Sequence, residues 1–244
     1  MLRHTALFLW RDTTTEQQKL VALKGLAYMS YGCPSVRKLD FGTDLLGGSS
    51  PLIELKPWKR TPPWKARETG LPFNWDMALH LDFDDQQGMD AYNKDDVHHE
   101  VGAYNASVCR PERTARIDWW YDGPPRVEKG LIRQTALFLW RDEATEQQKN
   151  DVREAFRSLD GAVSALRSLV IGRTPPLASA TKHSDDTIGP LATDYDLIVD
   201  ALFADLAGVE AYKEHPAYKE ALALATTATK NEWTARITHR MASG

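Results

Sequence analysis

The sequence predicts an α+β protein made of two successive βαββαβ units, whose sheets pack on each other as a closed or nearly closed barrel. Three observations lead there. The stretch TALFLWRD stands at residues 5–12 and again at 135–142, inside a longer match of 3–19 with 133–149 at an offset of 130. A second anchor, Asp76 with Ala91-Tyr92, returns as Asp196 with Ala211-Tyr212 at an offset of 120, so the first unit carries about ten more residues in its middle. The repeated strand is apolar on both faces, and a sheet with helices on one side only leaves the other face to be covered.

Each unit reads as strand, helix, strand, long loop, strand, helix, strand. His4, Ala6, Phe8 and Trp10 alternate with Thr5, Leu7 and Leu9, the period of two that places successive side chains on opposite faces. Asp12 and the threonines before Glu16 then supply oxygen acceptors for the free N–H groups of a helix start. Second strands are expected at 36–41 and 166–171, each ended by a glycine, Gly42 or Gly172. Third strands follow at 75–83 and 195–203, and fourth strands at 113–121 and 232–240. The helical segment between the last two strands is expected to bend at Asp95-Asp96 in the first unit and at His215-Pro216 in the second. Two such sheets in one chain can cover each other's open face. The run DGPPRVEKG at 122–130 has the punctuation of a linker. The expected division is 1–122, a linker at 123–130, and 131–244.

Composition narrows the function. The chain has 244 residues, 42% hydrophobic and 26% charged, with a net charge of −4. That charge gives no basic footprint for nucleic acid. Apolar runs such as ALFLW fall short of the roughly 20 residues of a membrane span, and the N-terminus reads as a strand rather than a signal peptide. A cytoplasmic location is expected. Cys33 and Cys109, with no CxxC spacing, read as free thiols. Neither a phosphate-binding glycine loop nor a GxSxG elbow occurs.

The residues Arg3 to Phe8, the segment PSVRKLDFG at 34–42, residues 79–85 and Ala91-Tyr92 resemble the stress-responsive dimeric α/β-barrel family, which pairs two ferredoxin-like units. The segment AYKEHPAY at 211–218 is similar to that family's AYxxHPxH signature. The resemblance implies a pseudo-dimeric barrel of two ferredoxin-like repeats within one chain. Its polyketide (olivetolic acid) cyclase branch works with a histidine near the start of the first strand, a tyrosine in the second helical segment, and a histidine six residues later. The first unit carries His4, Tyr92 and His98 at those places; the second carries Gln134, Tyr212 and Tyr218. The first unit is therefore expected to be the chemical half and the second a scaffold.

That set suits acid–base chemistry without a cofactor. An imidazole at His98 can take a proton from a carbon beside a carbonyl, while Tyr92 or protonated His4 hydrogen-bonds the oxygen as charge develops. Aldol-type ring closure, carbon–carbon lyase chemistry and isomerisation all fit, on an aromatic or polyketide-like carbonyl compound. Phe8 and Trp10, on the strand face of His4, are expected to contact the substrate. So are Trp58, Trp64 and Arg60 in the long segment 51–72. His98-His99-Glu100 with His80 and Asp82 offers metal-ligand types, but adjacent helix residues point about 100° apart, and no metal is expected. The alternatives are a non-catalytic barrel holding a hydrophobic ligand or serving a stress-related structural role, and a cofactor-independent oxygenase. Further pairing into a homo-oligomer is compatible with the exposed sheet edges.

Overall fold

The computed structural model describes residues 1–46, 74–121, 130–173 and 193–242. The first sheet contains β1 (Leu2–Phe8), β2 (Lys38–Thr43), β3 (Met77–Phe83) and β4 (Ala115–Trp120). The second contains β5 (Ile132–Phe138), β6 (Leu166–Arg173), β8 (Leu197–Phe203) and β9 (Ala235–Arg240). The short β7 (Thr193–Asp194) precedes β8 but joins the first sheet. The orders are β2-β3-β1-β4-β7 and β6-β8-β5-β9, antiparallel apart from the parallel β4–β7 pair. Helices α1 (Glu16–Gly32), α2 (Gln86–Asn93) and α3 (Asp96–Val108) belong to the first half. Helices α4 (Glu146–Arg157), α5 (Leu206–Glu214) and α6 (Pro216–Ala228) belong to the second. This is the α+β arrangement of two ferredoxin-like repeats.

The repeated letters have structural causes. In TEQQ, the Thr15 hydroxyl accepts from the Gln18 N–H while the Gln18 carboxamide oxygen accepts from the Thr15 N–H; Thr145 and Gln148 do the same. This reciprocal cap satisfies free donors at both helix starts. The Asp76 carboxylate accepts from the Trp10 N–H at 2.9 Å, and Asp196 from the Trp140 N–H at 2.8 Å, tying each first strand to the approach of the third.

One face of each sheet packs on its own helices, around Phe8, Leu26, Met29 and Leu79 in the first half and Phe138, Phe156 and Val199 in the second. The other faces meet. Leu7, Ala78, Ile117 and Trp119 pack against Leu137, Ile198 and Ile237 in a third core between the sheets. Both faces of TALFLW are apolar for this reason.

Between the sheets also lies a buried charge network. Arg3 forks onto Asp82, with Nε–Oδ1 2.5 Å and Nη2–Oδ2 2.9 Å, and reaches Asp200 of the other sheet at 3.2 Å. Arg133 reaches back to Asp40 at 2.6 Å, and His239 lies 3.0 Å from the same carboxylate oxygen. Burial pushes the Asp40 carboxyl up, but Arg133 and His239 outweigh it and hold the group below its ordinary value. Burial, and then the charges of Arg133, His239 and Arg3, hold the His80 imidazole well below its ordinary value.

Three expectations from the sequence need correction, and one strand is added to them. The second strands end at Thr43 and Arg173, so Gly42 and Gly172 lie inside them rather than terminating them. Each is there because a ring of the opposite sheet approaches. A Cβ on Gly42 would lie 2.7 Å from the His239 ring, and one on Gly172 would sit inside contact distance of Trp119 and 2.7 Å from Ile198 Cγ2. The fourth strands start later, at Ala115 and Ala235, because residues 111–113 and 231–233 form single 3-10 turns. The third strands proper begin at Met77 and Leu197. The strand β7 was not foreseen; it pairs Thr193 with Ala115 and carries the second half's chain onto the first sheet. Gly172→Ala is expected to destabilise the protein by about 1–3 kcal/mol through overpacking in the sheet-to-sheet core. Urea unfolding checks this, with the exposed Ser107→Ala, whose hydroxyl bonds only the Tyr104 carbonyl within its own helix, as reference.

Candidate active site

The alternation of β1 sends His4, Ala6 and Phe8 to the helix side of the first sheet. Strand β4 runs antiparallel beside it in a register that places His4 opposite Asp118 and Ala6 opposite Arg116. His4 Nδ1 lies 2.7 Å from Asp118 Oδ1. An ionised carboxylate can only accept, so against ionised Asp118 the Nδ1 of His4 is the donor.

Tyr92 closes the last turn of α2. The break that follows is fixed by Asp95, whose carboxylate caps α3 by accepting from the Val97 N–H. This puts His98 in the first turn of α3, with Val101, Gly102 and Asn105 following on the same face at helical spacing. The Tyr92 and His98 rings stack with centroids 4.0 Å apart, and the His4 centroid is 6.3 Å from that of Tyr92.

These groups line one cavity with about 500 Å³ of atom-free space, its mouth included. The remaining wall is mostly apolar, from Phe8, Leu26, Met29 and Leu79, with Asn93, Asn105, Thr114 and Arg116 as further polar groups. A smaller adjoining cavity of about 210 Å³ shares Phe8, Gly102, Asn105 and Thr114 with it. Such a largely apolar cavity with a few converging polar groups is the usual form of a small-molecule site.

The structure brings His4, Phe8, Tyr92 and His98 together. Trp10 does not line this cavity; it packs half-buried on the first core and its backbone bridges Cys109. Trp58, Trp64 and Arg60 lie outside the described residues, as does nearly all of the expected linker. Two of the metal-ligand types, His80 and Asp82, are buried between the sheets, on the side of the first sheet away from His98. There Asp40, His80 and His239 place ligand-type atoms within 4.8 Å of one another, but Arg133 already holds Asp40 and would repel a cation. Both cysteines are buried and free. Burial, with Asp95 adding, pushes the Cys33 thiol up to about 12, and burial pushes Cys109 higher still.

Asp118, Arg116, Asn105, Asn93 and Thr114 were not picked out from the sequence. For Asp118 a signal existed. At the offset of 120 its counterpart is Thr238, the same pattern of loss as His98 against Tyr218. In the second half Phe156 stands for Leu26, Leu222 for Gly102 and Ala225 for Asn105, and all three pack in its own core. Tyr212 keeps the place of Tyr92 but packs tilted against Tyr218, at 4.3 Å between centroids, and burial raises its hydroxyl pKa well above the ordinary value.

Residues 132–235 match the family described as the Stress responsive A/B Barrel Domain. No curated protein sequence matches the chain. Among solved structures, a candidate monooxygenase from Fusobacterium nucleatum subsp. nucleatum is similar over 98% of this chain and 91% of its own, with TM-score 0.54 and 8% identity. A candidate monooxygenase from Lactobacillus acidophilus is similar over 98% and 93%, with TM-score 0.50 and 10% identity. A dimeric ferredoxin-like protein of unknown function from Thermobifida fusca matches 49% of this chain and 99% of its own, with TM-score 0.37 and 24% identity. At these identities the likeness is one of fold. Among the described residues, no helix is long and apolar enough to cross a membrane.

Proposed function

We propose that the chain joins two copies of the barrel unit in tandem. Residues 1–122 form a cofactor-independent acid–base catalyst, and residues 131–244 a scaffold that covers its sheet. The substrate is a compact carbonyl-bearing molecule, aromatic or polyketide-like, and the reaction is an aldol-type ring closure, its reverse, or an isomerisation. One observation carries the reading: His4 backed by Asp118, and the stacked pair Tyr92–His98, meet in a single mainly apolar cavity.

In this reading His98 takes a proton from the carbon beside the carbonyl, and the electron pair moves to the carbonyl oxygen. The Tyr92 hydroxyl and the His4 imidazole hydrogen-bond that oxygen as its charge grows, with Asp118 against Nδ1 orienting the His4 ring. In ring closure the enolate carbon then bonds a second carbonyl carbon, whose oxygen becomes an alkoxide and takes the proton back from His98. In an isomerisation the proton returns to a different carbon, and carbon–carbon cleavage runs the closure backwards. The apolar wall keeps water from competing for the enolate.

A second reading is kept because two solved structures similar over 98% of this chain are candidate monooxygenases. The same base could deprotonate an activated phenol that then reacts with oxygen. Oxygen uptake separates the two.

A thermal-shift screen with aromatic carbonyls and polyketide-like acids tests the site, on wild type, His98→Ala and His4→Gln side by side. A ligand at 100 times its Kd stabilises the native state by about 2.7 kcal/mol, enough to raise Tm measurably. The expected result is a compound that raises Tm of the wild type and fails to raise that of either variant. Equal shifts in all three proteins would remove the histidines from the site and favour a barrel that only holds its ligand.

A further inference from the structure

We infer that the cavity is made for a carboxylic acid, whose carboxylate is held by Arg116 and Asn105 while its carbonyl reaches His4, Tyr92 and His98. The inference rests on the cavity being the functional site proposed above and adds the chemical class of its occupant.

Arg116 enters this mostly apolar space from β4 and is only 6% exposed. Its Nη2 lies 3.2 Å from Asp194, a carboxylate half in solvent, but its Nε–H has no acceptor among the described residues. Asn105 is 4% exposed, lines both adjoining cavities, and its Oδ1 likewise has no partner among the described residues. Buried polar atoms are nearly always satisfied, and leaving two open beside one cavity destabilises a protein that has no use for them. A carboxylate answers the guanidinium fork through Nε and a terminal nitrogen. A half-turn about χ2 exchanges the two ends of the Asn105 amide, so it donates to the carboxylate or accepts from a neighbouring hydroxyl of the ligand.

Spacing then limits the ligand. Arg116 and Asp118 are two residues apart on one face of β4, which is about 7 Å along a strand. Asp118 marks the position of His4. A carboxylate at Arg116 therefore reaches the histidines across roughly one aromatic ring or a short diketo chain. Arg236 occupies the place of Arg116 in the second half, and its Nε is also open. There, however, Ala225 replaces Asn105 and Leu222 replaces Gly102. The arginine belongs to both strands; the asparagine and the space beside it belong to the first half.

The test uses 4-acetylbenzoate and its neutral isostere 4-acetylbenzamide, titrated calorimetrically into the full chain. Wild type is expected to bind the acid at least tenfold more tightly than the amide. Arg116→Met should bring that ratio below twofold, Asn105→Ala should weaken the acid several-fold, and Arg236→Met should leave the ratio unchanged. Should Arg116→Met fail to fold, Arg116→Lys and Asn105→Ala carry the test, both with a reduced ratio. Equal affinities in the wild type, no binding of either compound up to about 10 mM, or a ratio that survives loss of Arg116 overturns the inference. Preference for the acid without chemistry on its methyl ketone would leave this inference standing and remove the catalytic reading. Chemistry without preference would do the reverse.

Discussion

Arg133→Met is expected to destabilise the protein by about 3–5 kcal/mol, the cost of leaving buried charge uncompensated. Three carboxylates, Asp40, Asp82 and Asp200, are buried between the sheets with two arginines, Arg3 and Arg133, and with His239. Arg133 is the one that joins Asp40 of the first sheet to Asp200 of the second. Its loss leaves Asp40 with His239 and the Ala242 N–H, and leaves Asp200 with Arg3 and the Thr135 hydroxyl. A single arginine then faces three buried carboxylates. The double variant Arg133→Met with Asp40→Leu should recover much of the loss, because removing both members of a buried pair is far less costly than removing one. Urea unfolding of the four proteins of the cycle measures this. A loss below about 1 kcal/mol in Arg133→Met would show that the network does not hold the sheets together.

His98→Ala is expected to lower the rate of proton transfer from a carbon beside a carbonyl by about 10²–10⁴-fold, the usual contribution of a positioned base. The ring is close to fully buried, so the effect needs a control for packing. His98→Gln supplies it: similar in size and still polar, it cannot take up the proton, and it should lose as much as the alanine. Tyr92→Phe keeps the ring against His98 and should lose less, since in the proposed reaction His4 also bonds the oxygen. A His98→Gln variant that retained most of the wild-type rate would take the base away from this position.

The parts of the fold that were legible in the sequence were those with a local cause. The repeated strand needs both faces apolar and TEQQ caps a helix; each leaves a mark within a few residues, whereas Asp76 and Asp196 stood out only by repetition, since the backbone N–H groups they bond lie 66 and 56 residues away. The strand ends were misplaced because Gly42 and Gly172 look like terminators until the ring that crosses each of them is known. Those rings, His239 and Trp119, come from the other sheet, far away in sequence. The candidate site divides in the same way. His4, Tyr92 and His98 stood out through their resemblance to a family pattern and their absence from one half. Asp118 and Arg116 join them only through the register of β4 beside β1, more than 110 residues later in the chain. The buried network gave no sequence signal either, since Arg3, Asp40, Asp82, Arg133 and Asp200 are ordinary strand charges until two sheets face each other.

The most direct measurement is deuterium exchange into the methyl ketone of 4-acetylbenzoate in D2O, followed by proton NMR for wild type and His98→Gln. The account predicts loss of the methyl signal in the presence of wild type at a rate well above solvent, and a fall of at least a hundredfold in the variant. Exchange at the solvent rate with wild type, under conditions where the acid is bound, would contradict it and leave the cavity as a binding site alone.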